Sequence, residues 1–172
     1  MKPIKVLFLC TGNSCRSQMA EAILNKLASG KFKAYSAGSS PDLNKYPDTK
    51  GVHPVAYYLL KDNGYDVSEL YSKSWNEFIK QKESIDFAFT LCDNANEELK
   101  ATCPVFPGQP ITAHWGVEDP VLAKGSDEEI NRVFLKVFNI IKRRIELFCA
   151  LPLDNLKGLS LQQKLEEIGE EN

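Results

Sequence analysis

The sequence carries no dominant charge, no long apolar run and no repeat. Its 21 Lys and Arg face 23 Asp and Glu, a formal net charge of −2, so nothing points to nucleic acid as a partner. No stretch approaches the length of a membrane span, and the N-terminus shows no apolar segment of the signal-peptide kind. A cytoplasmic protein without membrane contact is expected. Five cysteines, an odd number, argue against a static disulfide framework and for catalytic or redox use of thiols. Cys92, Cys103 and His114 lack the paired spacing of a zinc site. What is present is ordinary: 172 residues, 43% hydrophobic and 26% charged, enough for one domain with a real core and short for two.

Against that background one stretch stands out, Cys10-Thr11-Gly12-Asn13-Ser14-Cys15-Arg16. An apolar run, residues 4–9, reads as a buried strand leading into it, and a helical pattern over residues 17–28 follows at once. Strand, tight loop and helix together lay backbone N–H groups around one electropositive point suited to a tetrahedral oxyanion. Gly12 tolerates loop dihedrals that a side chain resists. Arg16 can fold back to hold oxyanion oxygens bidentately. Cys10 then lies at the floor of the cradle, where positive potential favours the thiolate. Taken singly, a strand-end cysteine is a small buried hydrophobe and a Gly-Asn pair is a turn; the joint spacing Cys-x5-Arg-Ser carries the functional reading.

Lys33–Ser36 reads as a second strand closing a right-handed βαβ unit. Residues 37–51 read as a long loop, Val52 to Gly64 as a helix, and residues 74–82 as a third helix with Trp75 and Phe78 inward. Ile85–Leu91 is the next strand and delivers Cys92 at its C-terminal end, as residues 4–9 deliver Cys10. In open α/β sheets such ends share one crevice. Residues 93–102 read as a polar, mobile segment, followed by Cys103-Pro104 and at most one short strand before residue 113. Ser126 and Glu129 form a capping box for a long helix over 127–149, with Cys149 as inert packing at its end. The fold class is therefore α/β, a small open, mostly parallel sheet flanked by helices on both faces. Residues 1–150 form the catalytic domain. Residues 151–172 form an extension with a short amphipathic helix, capped by Ser160 and Gln163, that docks on the domain or recruits a partner through Leu161, Leu165 and Ile168.

Residues 6–21, VLFLCTGNSCRSQMAE, resemble the nucleophile loop of the low-molecular-weight protein tyrosine phosphatases, and more closely that of the thiol-coupled arsenate reductases of the same superfamily. The phosphatases usually carry Pro after Cys-Arg-Ser; here Gln18 follows. The similarity extends to Tyr35-Ser36-Ala37-Gly38, Thr90-Leu91-Cys92, Cys103-Pro104 and His114-Trp115-Gly116…Asp119-Pro120. It implies that Thr11, Gly12, Asn13, Ser14, Cys15, Arg16 and Ser17 bind arsenate, phosphate or sulfate. Ser17 would bond the Cys10 thiolate, and Asp119 would act as general acid, although Asp before Pro is also a common turn former.

The same resemblance implies a relay. Cys92 would attack the sulfur of a Cys10–arsenic adduct, Cys103 would then attack Cys92, and thioredoxin or a similar dithiol would reduce the product. The connection from Cys92 to Cys103 is longer than in the better-known thioredoxin-coupled members. Two unrelated thiols are the alternative for this pair. No cofactor is required, although some of these reductases hold a potassium ion, which would fall at Asn13, Glu21, Ser36 and Asp66; Asn13 bracing the loop is the simpler reading. Cys15 is structural, His53 a surface loop residue, and His114 and Trp115 pack near the site. A monomer is expected. The alternatives are a phosphatase hydrolysing phosphate monoesters, disfavoured because residues 121–125 lack adjacent tyrosines, and an oxyanion sensor without turnover.

Overall fold

Val6 and Phe8 belong to one buried apolar cluster and Leu7 and Leu9 to another, and all four are fully buried. A strand covered on both faces sits inside a parallel sheet between helical layers. The computed structural model describes residues 2–81, 84–102 and 106–172. It places this strand, β1 (Ile4–Cys10), between β2 (Phe32–Gly38) and β3 (Phe87–Thr90), with β4 (Ile111–His114) outside β3. All three pairings are parallel.

One face carries α1 (Arg16–Leu27), α2 (Pro54–Asp62), α5 (Asp127–Cys149) and α6 (Gly158–Ile168), whose buried side chains form a single cluster with Val6, Phe8 and Phe89. Its centre is aromatic: Phe89 stacks on Trp115 with centroids 4.0 Å apart, and Phe148 meets both rings edge-on. Such rings bring large buried areas in fixed geometry. The other face is smaller. There α3 (Asn76–Lys80) supplies Phe78, which with Trp75 and Phe106 covers Leu7, Leu9 and Ala88.

The long helix matches its expected span, and Ser126 and Glu129 make both bonds of the capping box. Three expectations change. Residues 93–102 are not a loose connection but a helix, α4 (Asp93–Thr102), seated through the fully buried Ala95. In the tail, α6 starts at Gly158, and Ser160 donates to the Lys157 carbonyl instead of capping with Gln163. Leu161, Leu165 and Ile168 are buried, so this helix docks on its own chain. Residue 53, expected on a surface loop, is the N-cap of α2, its ring held between Tyr46 and Phe134 at 4.9 Å from each. Cys103 and Pro104 lie outside the described residues.

Strand order 2-1-3-4 reverses direction at β1, so the crevice lies between the C-terminal ends of β1 and β3. Those ends carry Cys10 and, two residues past β3, Cys92.

Candidate active site

Five successive carbonyls of the nucleophile loop are drawn outward by neighbours. Cys10 and Thr11 accept from the backbones of Ser39 and Ser40, and Ser14 accepts from that of His53. Gly12 accepts from the Ser72 hydroxyl and Asn13 from the Gln18 amide. In a planar trans peptide the next residue's N–H points opposite the carbonyl. Outward carbonyls therefore turn the N–H groups of residues 11–15 toward the loop's centre, at the start of α1. That orientation is the one an anion cradle requires. Gly38 is needed beside it: a Cβ there would lie 2.5 Å from the Thr11 carbonyl oxygen.

Asn13 is the brace. It adopts the left-handed region (φ 51°), is fully buried, donates to the Ser17 hydroxyl at 2.8 Å, and accepts from Gln18 and from the Lys73 backbone. Ser17, expected on the Cys10 sulfur, thus accepts from Asn13 through its oxygen.

Cys10 and Cys92 are both buried and pack with Ala95 in one small cluster. The Thr11 hydroxyl oxygen accepts from Asn94, so its own proton is directed at the Cys92 sulfur 3.2 Å away. The Ala95 N–H, in the first turn of α4, approaches the same sulfur at 3.4 Å. Cys92 is pulled from the ordinary 9.0 down to about 5, chiefly by the Cys10 thiol donating to it, against the cost of burial. Cys10 is pushed up by the same bond and by burial, while Arg16 opposes the rise. The two shifts run in opposite directions, so the pair shares one proton and its titrations belong to both sulfurs together. Burial above all, with the charge of Asp119 adding and that of Arg16 opposing, drives Cys15 far up, in keeping with a structural role. Cys149, half-buried at the end of α5, is raised by burial too.

Arg16 is nearly buried and is anchored from behind: Nη1 donates to the carbonyls of Val117 at 2.8 Å and Leu91 at 3.4 Å, and Nη2 lies 3.6 Å from Asp119 Oδ2. Asp119 forms the expected turn and stands beside Arg16. Its Oδ1 caps the turn Pro120–Leu122 by accepting from Val121, and its Oδ2 faces the site. A cavity of about 860 Å³ opens beside Arg16 and Asp119, walled by His114, Asp93 and, from the tail, Glu166. His114 sits between Thr90 and Asp93, 2.8 Å from each, tying the first turn of α4 to β4. Trp115 is core.

The four residues expected around potassium do not form a vacant oxygen cage. Both hydrogen-bonding sites of the Asn13 oxygen are engaged by N–H groups. Ser36 donates to Glu21 Oε1 at 2.8 Å, and the Lys73 ammonium lies 3.8 Å from the same oxygen and donates to the Tyr71 carbonyl. Burial pushes Glu21 up and Lys73 down, and each counters the other. Asp66 is exposed and holds Ser68. The donor set fits an internal lysine, not a potassium ion. Sequence reasoning missed Lys73, Asn94 and the Val117 carbonyl, all of which reach the loop from 60 or more residues away and leave no local pattern.

A model of the family described as low molecular weight phosphotyrosine protein phosphatase matches residues 5–162. The arsenate reductase of Halalkalibacterium halodurans is 39% identical over 143 residues, 83% of this chain and 93% of the relative. A solved arsenate reductase in its phosphate-binding state superposes with a TM-score of 0.61 at 29% identity, covering 86% of this chain and 97% of its own. A thioredoxin-dependent arsenate reductase of Corynebacterium glutamicum does so with a TM-score of 0.57 at 25% identity, covering 90% and 65%. With the cradle, the clamp and the paired thiols in place, the chain belongs to the low molecular weight phosphotyrosine protein phosphatase family.

Proposed function

We propose that this chain reduces arsenate to arsenite, with Cys10 as nucleophile and Cys92 as the first resolving thiol. The observation that carries it is the packing of Cys10 and Cys92 in one buried cluster beyond the ends of neighbouring strands. Ester hydrolysis has no use for a second thiolate at that place; reduction requires one. The arsenate reductases among the relatives support the same reading.

Arsenate binds the loop N–H groups and Arg16. Moving the shared proton from Cys10 to Cys92 leaves a Cys10 thiolate against the cradle. It attacks arsenic, and one arsenate oxygen leaves as water on a proton from Asp119. The Ser17 hydroxyl, braced by Asn13, has its proton available for the Cys10 sulfur. Cys92, once deprotonated, attacks the Cys10 sulfur: the S–S bond forms, the S–As bond breaks, and its electron pair stays on arsenic, which departs as arsenite. Cys103 then attacks Cys92 and expels the Cys10 thiolate, and a dithiol donor of the thioredoxin kind supplies two electrons to the Cys92–Cys103 disulfide. The thioredoxin-dependent relative supports that donor. No step uses a metal ion; the Lys73 ammonium provides the positive charge beside Glu21.

Cys92→Ser tests the reading. Steady-state arsenite production with thioredoxin and its reductase falls at least about a hundredfold, a loss of roughly 2.7 kcal/mol of barrier lowering. Hydrolysis of an aryl phosphate, which needs only the cradle, persists. Arsenite production at the parental rate overturns the relay. Efficient hydrolysis by the wild type without any arsenate reduction makes it a phosphatase.

A further inference from the structure

We propose that Arg144 and the C-terminal helix position the oxyanion clamp, so that the tail sets affinity for the substrate anion. This rests on the reading of Arg16 as the group that holds the oxyanion.

Arg144, on α5, is 2% exposed. Its guanidinium joins two distant segments. Nη1 donates to the carbonyls of Trp115 at 2.6 Å and Gly116 at 3.0 Å. Nε donates to the Glu171 carbonyl at 2.8 Å, and Nη2 reaches Asn172 Oδ1 at 3.5 Å. These acceptors are neutral, so they hold the cation by number and geometry, and losing a few of them leaves a buried charge uncompensated.

Three further contacts bind α6 and its exit to the same strip. The Trp115 indole donates to the Leu165 carbonyl at 2.9 Å. Gln162 donates to the Thr112 carbonyl at 2.8 Å. Gly169 lets the backbones close, since a Cβ there would stand 2.4 Å from the His114 carbonyl oxygen.

The strip continues into Val117, whose N–H donates to Leu91 and whose carbonyl receives Arg16. Arg16 thus has Nη1 fixed by Val117, while Nη2, 3.6 Å from Asp119 Oδ2, is the nitrogen turned to the anion's side. The tail's Glu166 and Glu170 wall the cavity that contains Arg16 and Asp119, so the tail reaches the site itself. Shifting residues 115–117 removes the rear acceptor of Arg16 and lets the fork turn away. The cost falls on anion binding, while the contacts of Cys92 to Thr11 and to the Ala95 N–H of α4 stay in place.

The experiment compares wild type, Arg144→Met, Arg144→Lys, Gly169→Val and Phe138→Leu. Phe138 is a buried core residue on the same helix that makes none of these contacts. Phosphate binding by calorimetry, thermal midpoint and the steady-state KM and kcat for arsenate are read for each. Arg144→Met and Gly169→Val weaken phosphate about tenfold and raise the arsenate KM in step, with kcat within about threefold. Arg144→Lys recovers part of the affinity. Phe138→Leu lowers the midpoint without weakening phosphate. The proposal is overturned if Gly169→Val or a folded Arg144→Met binds phosphate within about twofold of wild type, or if Phe138→Leu weakens it equally. Phosphate affinity is read whether or not arsenate is reduced, so failure of the reductase reading is a separate result. A wild type that binds no phosphate removes both.

Discussion

Cys92 carries the sharpest consequence at the scale of single residues. Its thiol is pulled to about 5, with Cys10, Thr11 and the Ala95 N–H as the favourable partners. A depressed pKa stabilises the fold above the ordinary thiol value, and that contribution is lost as pH falls through the folded value. The gap in denaturant midpoint between wild type and Cys92→Ser therefore widens as pH rises from about 5 toward the ordinary thiol range, and closes on acidification. In the same window, iodoacetamide labels the Cys10–Cys92 pair near pH 6, while buried Cys15 stays unlabelled; mass mapping of the alkylated peptides checks both. Labelling confined to alkaline pH would contradict the shared proton.

Among the elements, α4 is the one whose position matters most and whose sequence said least. Asp93–Thr102 has Ala95 and Leu99 as its only strongly apolar positions at helical spacing, so its polarity reads as a loose connection. The stretch from β1 to α1 was legible because its chemistry is local: an apolar run, a loop of small and polar residues, a helix. The resolving thiol could be placed from the strand that carries it, whereas the groups that tune it could not. Asn94 acts on Cys92 only through Thr11, 83 residues away in sequence. Asn94 is exposed, so replacing it by Ala leaves the core intact while freeing the Thr11 hydroxyl from its fixed orientation. Asn94→Ala raises the apparent pKa of Cys92 by about half a unit to one unit, read from the pH profile of alkylation. The α6 stripe was visible in the same way as that of α5, yet its task was not, because its partners, the Thr112 carbonyl and the Trp115 indole, belong to β4 and the turn beyond.

For the molecule as a whole, the aromatic stack joins sheet, helices and tail. Phe89 from β3, Trp115 after β4 and Phe148 from α5 meet in pairs, and the indole of Trp115 bonds to α6. Phe89→Ala empties the middle of this group and costs about 3–5 kcal/mol. For a chain of this size that lowers the thermal midpoint by roughly 10 °C, measured by circular dichroism or calorimetry. The covering of β4 by the tail has a further effect. A sheet that stops at a bare outer strand offers its unpaired backbone to any passing chain. Here Gln162 already occupies the Thr112 oxygen and Gly169 presses on that of His114, so a neighbouring copy finds no hospitable border along β4 on which to lengthen the sheet.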